Sequence, residues 1–274
     1  MSIESVVKSN RKLRKLIEPF YWWTLAFGID AVKFVRAFRG LPSVIKEYYI
    51  IKKSNDIKNK YKIRFAVPVL DEKLTESGTA SGHYFHQDLL VARKIFQRQP
   101  IKHVDIGSRV DGFVAHVATF REIEVFDIRT PPMPVSNMIF KQCDFMDAGI
   151  ALNDYCDSIS CLHALEHFGL GRYGDSIDIN GHLRGFNNLD GILQSGGILY
   201  LSIPIGSPQR IEFNGHRVFA INTILEMAKA HFELIEFSYV DDKGDLHENV
   251  TLNSQSINNC DCYFGCGIFE FRKI

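Results

Sequence analysis

The sequence contains no apolar run long enough to cross a bilayer, no internal repeat and no low-complexity tract. Residues 19–29 are uncharged and aromatic, yet fall well short of the roughly 20 residues a spanning helix needs. Net charge is absent too: 32 Lys and Arg stand against 32 Asp and Glu. An even basic coating is therefore missing, and no nucleic-acid partner is expected. No secretory signal is recognisable, because Glu18 interrupts the apolar segment and no small-residue cleavage site follows. Cytoplasmic exposure is the expectation. Cysteine is limited to Cys143, Cys156, Cys161, Cys260, Cys262 and Cys266. The run Cys260-x-Cys262-x-x-x-Cys266 lacks the two chelating pairs of a zinc site, and a strand would send all three to one face. Reduced core thiols and no metal are expected.

What is present divides unevenly. The 274 residues are 46% hydrophobic, enough for one large core and an appendage. Residues 1–64 carry 15 Lys and Arg against 5 acids, a net of about +10; residues 65–274 carry 17 against 27, about −10. A basic arm (1–64) thus precedes an acidic domain (65–274). Within the arm, Arg11, Lys12, Arg14 and Lys15 precede Trp22, Trp23 and Phe27. Asp30, Lys33, Arg36 and Arg39 then recur at three-residue spacing, interleaved with Val32, Phe34, Val35 and Phe38. Such a helix suits an anionic membrane surface contacted through residues 1–45, peripheral at the inner face. Packing on its own domain or on a twin subunit is the alternative. Residues 52–62 read as a polar linker, 65–70 as extended, and 75–82 as a loop.

Four strand-like segments, residues 101–106, 122–128, 138–145 and 157–162, each run into a polar or glycine turn. Short strands alternating with helical stretches describe an α/β domain whose parallel sheet binds ligand at its carboxyl edge. The first segment closes on Asp105 and enters Gly107-Ser108-Arg109-Val110-Asp111-Gly112. Asp127 lies near the end of the second, Asp144 at the end of the third. The fourth leads into His163-Ala164-Leu165-Glu166-His167. An amphipathic helix is expected over 86–97, from Leu89, Leu90, Ala92, Ile95 and Phe96. Ser195-Gly196-Gly197 reads as a turn feeding a fifth strand at 198–204. A helix over 221–231 and long strands at 232–240 and 262–271 complete the pattern.

From residue 83 onward this order resembles the class I S-adenosylmethionine-dependent methyltransferases. The resemblance implies a Rossmann-like sheet of order 3-2-1-4-5-7-6 and S-adenosylmethionine as cofactor. It assigns Asp105 and Gly107 to the turn beside the methionine moiety, Asp127 to the ribose hydroxyls and Asp144 to the adenine amino group. The chemistry suits these roles, since a carboxylate can accept from two neighbouring hydroxyls and glycine permits close backbone approach. Leu165-Glu166-His167 is common in that family as well. Arg109 and Asp111 depart from it, standing where further glycines are usual. The chain is also similar to an uncharacterised methyltransferase-like family associated with surface-polysaccharide biosynthesis. That similarity is carried by residues 83–88, 105–113 and 165–175 and by Phe213-Asn214-Gly215-His216-Arg217. It implies a glycan or small-molecule acceptor.

Two segments exceed what such a sheet requires, residues 169–182 and 212–217. They offer a base in His167 or His216 and substrate contacts in Asp175, Glu212, Asn214 and Arg217. All six are expected in one cleft beside the fourth and fifth strands, because methyl transfer needs in-line placement and a base near the acceptor atom. The alternative is that Arg172, Asp175 and Arg217 form ion pairs that pin long loops. His163-x-x-Glu166-His167 also matches an inverted zincin pattern. Its position directly after a parallel strand, with no third ligand following, argues against hydrolase chemistry. A non-catalytic binding or scaffolding subunit, with Arg109 and Asp111 marking a lost cofactor loop, is the competing function.

Overall fold

The computed structural model describes residues 11–54, 61, 63–75, 77–147, 150, 152–253 and 258–274. It forms two compact units, Met1–Thr79 and Ala80–Ile274. The compositional boundary at 64/65 falls inside the first unit, because the chain beyond it returns to the second helix of the arm. Gly40 permits that return, since a Cβ there would lie 1.6 Å from the Leu70 carbonyl oxygen. An ion pair between Lys73 and Glu47 adds to it.

In the first unit, α1 spans Arg11–Ala26 and α2 spans Ala31–Lys53. Asp30 caps α2 by accepting from the Lys33 amide at 2.9 Å, and Lys52 and Lys53 sit favourably in its last turn. Trp22 and Trp23 are 60% and 67% exposed, and Phe20, Phe27, Phe34 and Phe38 are exposed as well. No described helix is long and apolar enough to cross a membrane. Residues 1–10, most of the expected linker, and the side chains of Arg11, Lys12, Arg14 and Lys15 lie outside the described residues.

The second unit begins with α3 (His83–Arg98), followed by β1 (His103–Ile106), a π turn (Val110–Val114) and α4 (Ala115–Ala118). Next come β2 (Ile123–Asp127), β3 (Met138–Gln142), β4 (Cys156–Leu162) and a 3-10 turn (Leu165–His167). Then follow α5 (Gly181–Ile192), β5 (Leu193–Ile205), a hairpin of β6 (Arg210–Glu212) and β7 (His216–Val218), and α6 (Ile221–Ala228). The chain ends with β8 (Phe232–Val240), β9 (Leu246–His247) and β10 (Gly265–Lys273).

The main sheet has the order β3-β2-β1-β4-β5-β10-β8-β9, with β10 antiparallel between β5 and β8. Setting aside the separate β6–β7 hairpin and the short edge strand β9, this is the expected 3-2-1-4-5-7-6. The fold is a Rossmann-like α/β sheet closed by an antiparallel strand pair. Central strands are buried on both faces, as parallel sheets under two helical layers must be. Along β5, Ile198 and Tyr200 face the layer of α3 and α4, while Leu199, Leu201 and Ile203 face that of α5 and α6. In β10, Ile268 and Phe269 alternate likewise.

Three local expectations are corrected. The glycine turn at 195–197 is absorbed into β5, which begins at Leu193 because its edge pairs with Cys156. The α6 helix stops at Ala228. Cys260 lies in a 3-10 turn and Cys262 precedes β10, so Cys266 alone of the three is a strand residue.

Candidate functional site

The carboxyl ends of β1, β2, β3 and β4 open on one cleft of about 310 Å³. That lies at the lower end of the roughly 300–1,000 Å³ usual for small-molecule sites. Gly107, Asp127, Asp144, His167 and Asp175 line it. Gly107 adopts φ +68°, and a Cβ there would meet the Ala164 Cβ at 3.1 Å, so glycine alone makes this turn without strain.

Asp105 does not line the cleft. It is fully buried, and its carboxylate accepts from the Ser108 hydroxyl and Ser160 hydroxyl, each at 2.6 Å, and from the Ser108 amide at 3.0 Å. Burial, opposed by these donors, pushes its pKa up to about 7. Because Ser160 donates to Asp105, its oxygen accepts from His103 Nε2–H at 3.1 Å. His103 Nδ1 then accepts from Ser158 at 2.8 Å. Asp105 therefore holds the turn from behind, joining β1 to β4, rather than meeting a ligand.

Asp127 faces the cleft with both oxygens engaged. Oδ1 accepts from the Arg129 amide at 2.8 Å and Nε at 3.2 Å, and Oδ2 accepts from a terminal guanidinium nitrogen at 3.0 Å. The Arg129 guanidinium lies 4.0 Å over the Tyr173 ring. Asp144 Oδ1 accepts from the Met146 amide at 2.9 Å. Each next to one of these acids in the chain, Phe126 and Phe145 sit edge-to-face at 6.0 Å and form an apolar wall of the cleft. Arg109 and Asp111 pair with each other at 2.8 Å, and the Arg109 guanidinium lies 5.2 Å over the Tyr84 ring at the cleft margin.

Of the expected acceptor residues, two reach the cleft. His167 Nδ1–H donates to the Gly215 carbonyl at 2.6 Å, which leaves Nε2 as the proton acceptor, 3.6 Å from Glu166 Oε1. Burial lowers the His167 pKa, with Glu166 opposing. Asp175 lines the cleft, but its oxygens accept from the amides of Gly169, Gly171 and Tyr173 at 2.8–3.2 Å, which folds the 169–175 loop.

The other four do not line it. Arg217 is buried and donates to the carbonyls of Glu166, Phe168 and Ile179 at 2.6–3.2 Å. It pins the hairpin to the loop through backbone, not through an ion pair. Glu212 and Asn214 are exposed on the hairpin, with Glu212 paired to Arg210. His216 stands behind His167, ring centroids 6.5 Å apart, and burial takes its pKa down to about 4.

The zincin pattern fails for a local reason: Leu165–His167 is a single 3-10 turn, so the two histidines share no helical face. Tyr84, Arg129 and Tyr173 also line the cleft, Tyr173 from the 169–182 segment. Tyr84 belongs to the 83–88 stretch already singled out. Arg129, two residues past Asp127, was open to view as a partner for that acid.

A model of the family described as "Caenorhabditis protein of unknown function, DUF268" matches residues 135–263. No curated protein matches the chain. Among solved structures, it is similar to the 1,6-didemethyltoxoflavin N1-methyltransferase of Burkholderia thailandensis with bound 1,6-didemethyltoxoflavin and S-adenosylhomocysteine. The TM-score is 0.50 at 13% identity, over 68% of this chain and 78% of that one. It is also similar to the N-methyltransferase NodS of Bradyrhizobium japonicum WM9 in complex with S-adenosylhomocysteine, with TM-score 0.44 and 14% identity over 70% and 88%. At such identity the likeness is one of fold.

Proposed function

We propose that this chain is an S-adenosylmethionine-dependent methyltransferase acting on a small polar acceptor. One observation carries the reading: Gly107, Asp127 and Asp144, from the ends of three strands, line a single cleft around an aromatic wall. When bound, the cofactor supplies an electrophilic methyl on sulfur. Gly107 would let it approach the β1 turn, Asp127 would accept from the ribose hydroxyls, and Asp144 would meet the adenine edge. His167 would take the acceptor proton at Nε2, where Glu166 stabilises the resulting imidazolium. A glycan acceptor, and a role in surface-polysaccharide biosynthesis, rest on the sequence resemblance alone. The exposed Trp22 and Trp23 support seating the arm on an anionic membrane surface.

A second reading has its own observation. Arg129 occupies both oxygens of Asp127, as a binding subunit that has given up its nucleoside would allow. A thermal-shift titration separates the two. S-adenosylhomocysteine at millimolar concentration should raise the melting temperature through linkage, and Asp127→Ala should reduce the effect. No shift with either chain would favour the binding subunit.

A further inference from the structure

We propose that His83, His163 and Cys266 form a site for a divalent metal ion of the zinc class, at the wall of the cleft, which His163 lines. One ligand atom from each, an imidazole nitrogen or the Cys266 sulfur, lies within 4.8 Å of the other two. The three come from distant places in the chain: the start of α3, the end of β4 and the start of β10. Tetrahedral coordination at about 2.0–2.3 Å puts ligand atoms roughly 3.3–3.7 Å apart. The side chains need draw in by only about an ångström.

Several independent observations point the site at a cation. The His163 side chain is 5% exposed, and its Nε2 is buried with no hydrogen-bond partner. Its Nδ1 is held by Glu166 Oε1 at 2.7 Å, so Nε2 is the nitrogen presented to the other two ligands. A carboxylate behind a ligating imidazole is the usual arrangement that orients it and raises its basicity. Glu166 is itself 1% exposed, and its ion-pair partners among the described residues are histidines, with no Lys or Arg. A buried carboxylate needs hydrogen-bond donors or positive charge beside it. A metal on His163 supplies that charge without protonating the ring.

The remaining ligands are equally prepared. The His83 ring stacks on that of His163, centroids 5.2 Å apart and 6° between planes. The Cys266 thiol donates weakly to Gln87 Oε1 at 3.7 Å. Metal binding displaces the thiol proton to solvent and forms the sulfur–metal bond, with no redox change. Gln87 Oε1 keeps its donor from Ser202 at 2.5 Å. The site is not visible in the sequence because no two of its ligands are close in the chain.

The test uses the full chain, stripped with a chelator and titrated with Co²⁺ and Zn²⁺. The expected result is one equivalent per chain, with a sulfur-to-cobalt charge-transfer band in the near ultraviolet. Cys266→Ser should lose the band and His83→Asn should weaken binding at least tenfold, while Cys262→Ser keeps both. X-ray absorption of the zinc-loaded wild-type chain needs no variant, and should show one sulfur and two imidazoles in the first shell. A sulfur-free shell, binding below a tenth of an equivalent, or an undiminished band in a folded Cys266→Ser would overturn the site.

Discussion

Both oxygens of Asp127 are already engaged, and this sets the sharpest expectation at the residue scale. A ribose that takes both oxygens must displace Arg129, whose guanidinium holds them. Arg129→Ala should therefore tighten S-adenosylhomocysteine binding several-fold, while Asp127→Ala weakens it by about 1–3 kcal/mol, the cost of stranding polar partners. Calorimetry on the two variants checks both signs; weaker binding in Arg129→Ala would make that residue a cofactor contact instead. His103 offers a pH test. Burial, helped by Arg121, takes its pKa down to about 3, so the folded chain refuses a proton that the unfolded chain accepts near 6.5. Above pH 6.5 neither form is charged and nothing is lost. As pH drops from about 6.5 to 3, stability falls, by on the order of 5 kcal/mol. His103→Gln should flatten that acid limb in denaturant melts, although its stability at pH 8 is lower. A limb of unchanged slope would contradict the assignment. At this scale the acids of the strand ends were legible, because a carboxylate after an apolar run has few structural uses. The tasks of Asp105 and Arg217 were not, because both partner groups that only the folded chain brings near.

Turns and hairpins decide what the strands can present. Gly107→Ala would force a side chain into positive φ and within 3.1 Å of Ala164, so the turn should shift and ligand affinity should fall more than stability. The β6–β7 hairpin depends on Arg217, which ties it to three carbonyls. Arg217→Met should cost about 3 kcal/mol, lowering Tm by roughly 6–10 °C, with the cofactor affinity of the folded fraction retained. Loss of affinity without loss of Tm would restore Arg217 to the binding site. For the arm, Trp22→Ala with Trp23→Ala should abolish co-sedimentation with anionic vesicles, and salt should weaken it in the parent chain. Sedimentation indifferent to both changes would leave the exposed aromatics to a protein partner. Helices and strands were readable from their periodicity, yet the 212–217 segment was placed in the cleft by topology alone. Its hairpin pairs with itself rather than joining the sheet edge, so Glu212 and Asn214 turn to solvent.

For the molecule as a whole, the strand order could be read from the sequence because parallel strands buried on both faces leave near-continuous apolar runs that end in polar turns. The fold in turn concentrates Gly107, Asp127 and Asp144 at one edge, and the proposed function rests on that convergence. What the sequence concealed is the state of that edge, where Arg129 pairs with Asp127 and lies over the Tyr173 ring. The most direct measurement is a crystal structure of the chain grown with millimolar S-adenosylhomocysteine. The expected density has the ribose hydroxyls on Asp127 with Arg129 swung aside, the adenine against the wall of Phe126 and Phe145 near Asp144, and the amino-acid end against Gly107. A cleft with Arg129 still seated on Asp127 and no nucleoside density would contradict the methyltransferase account.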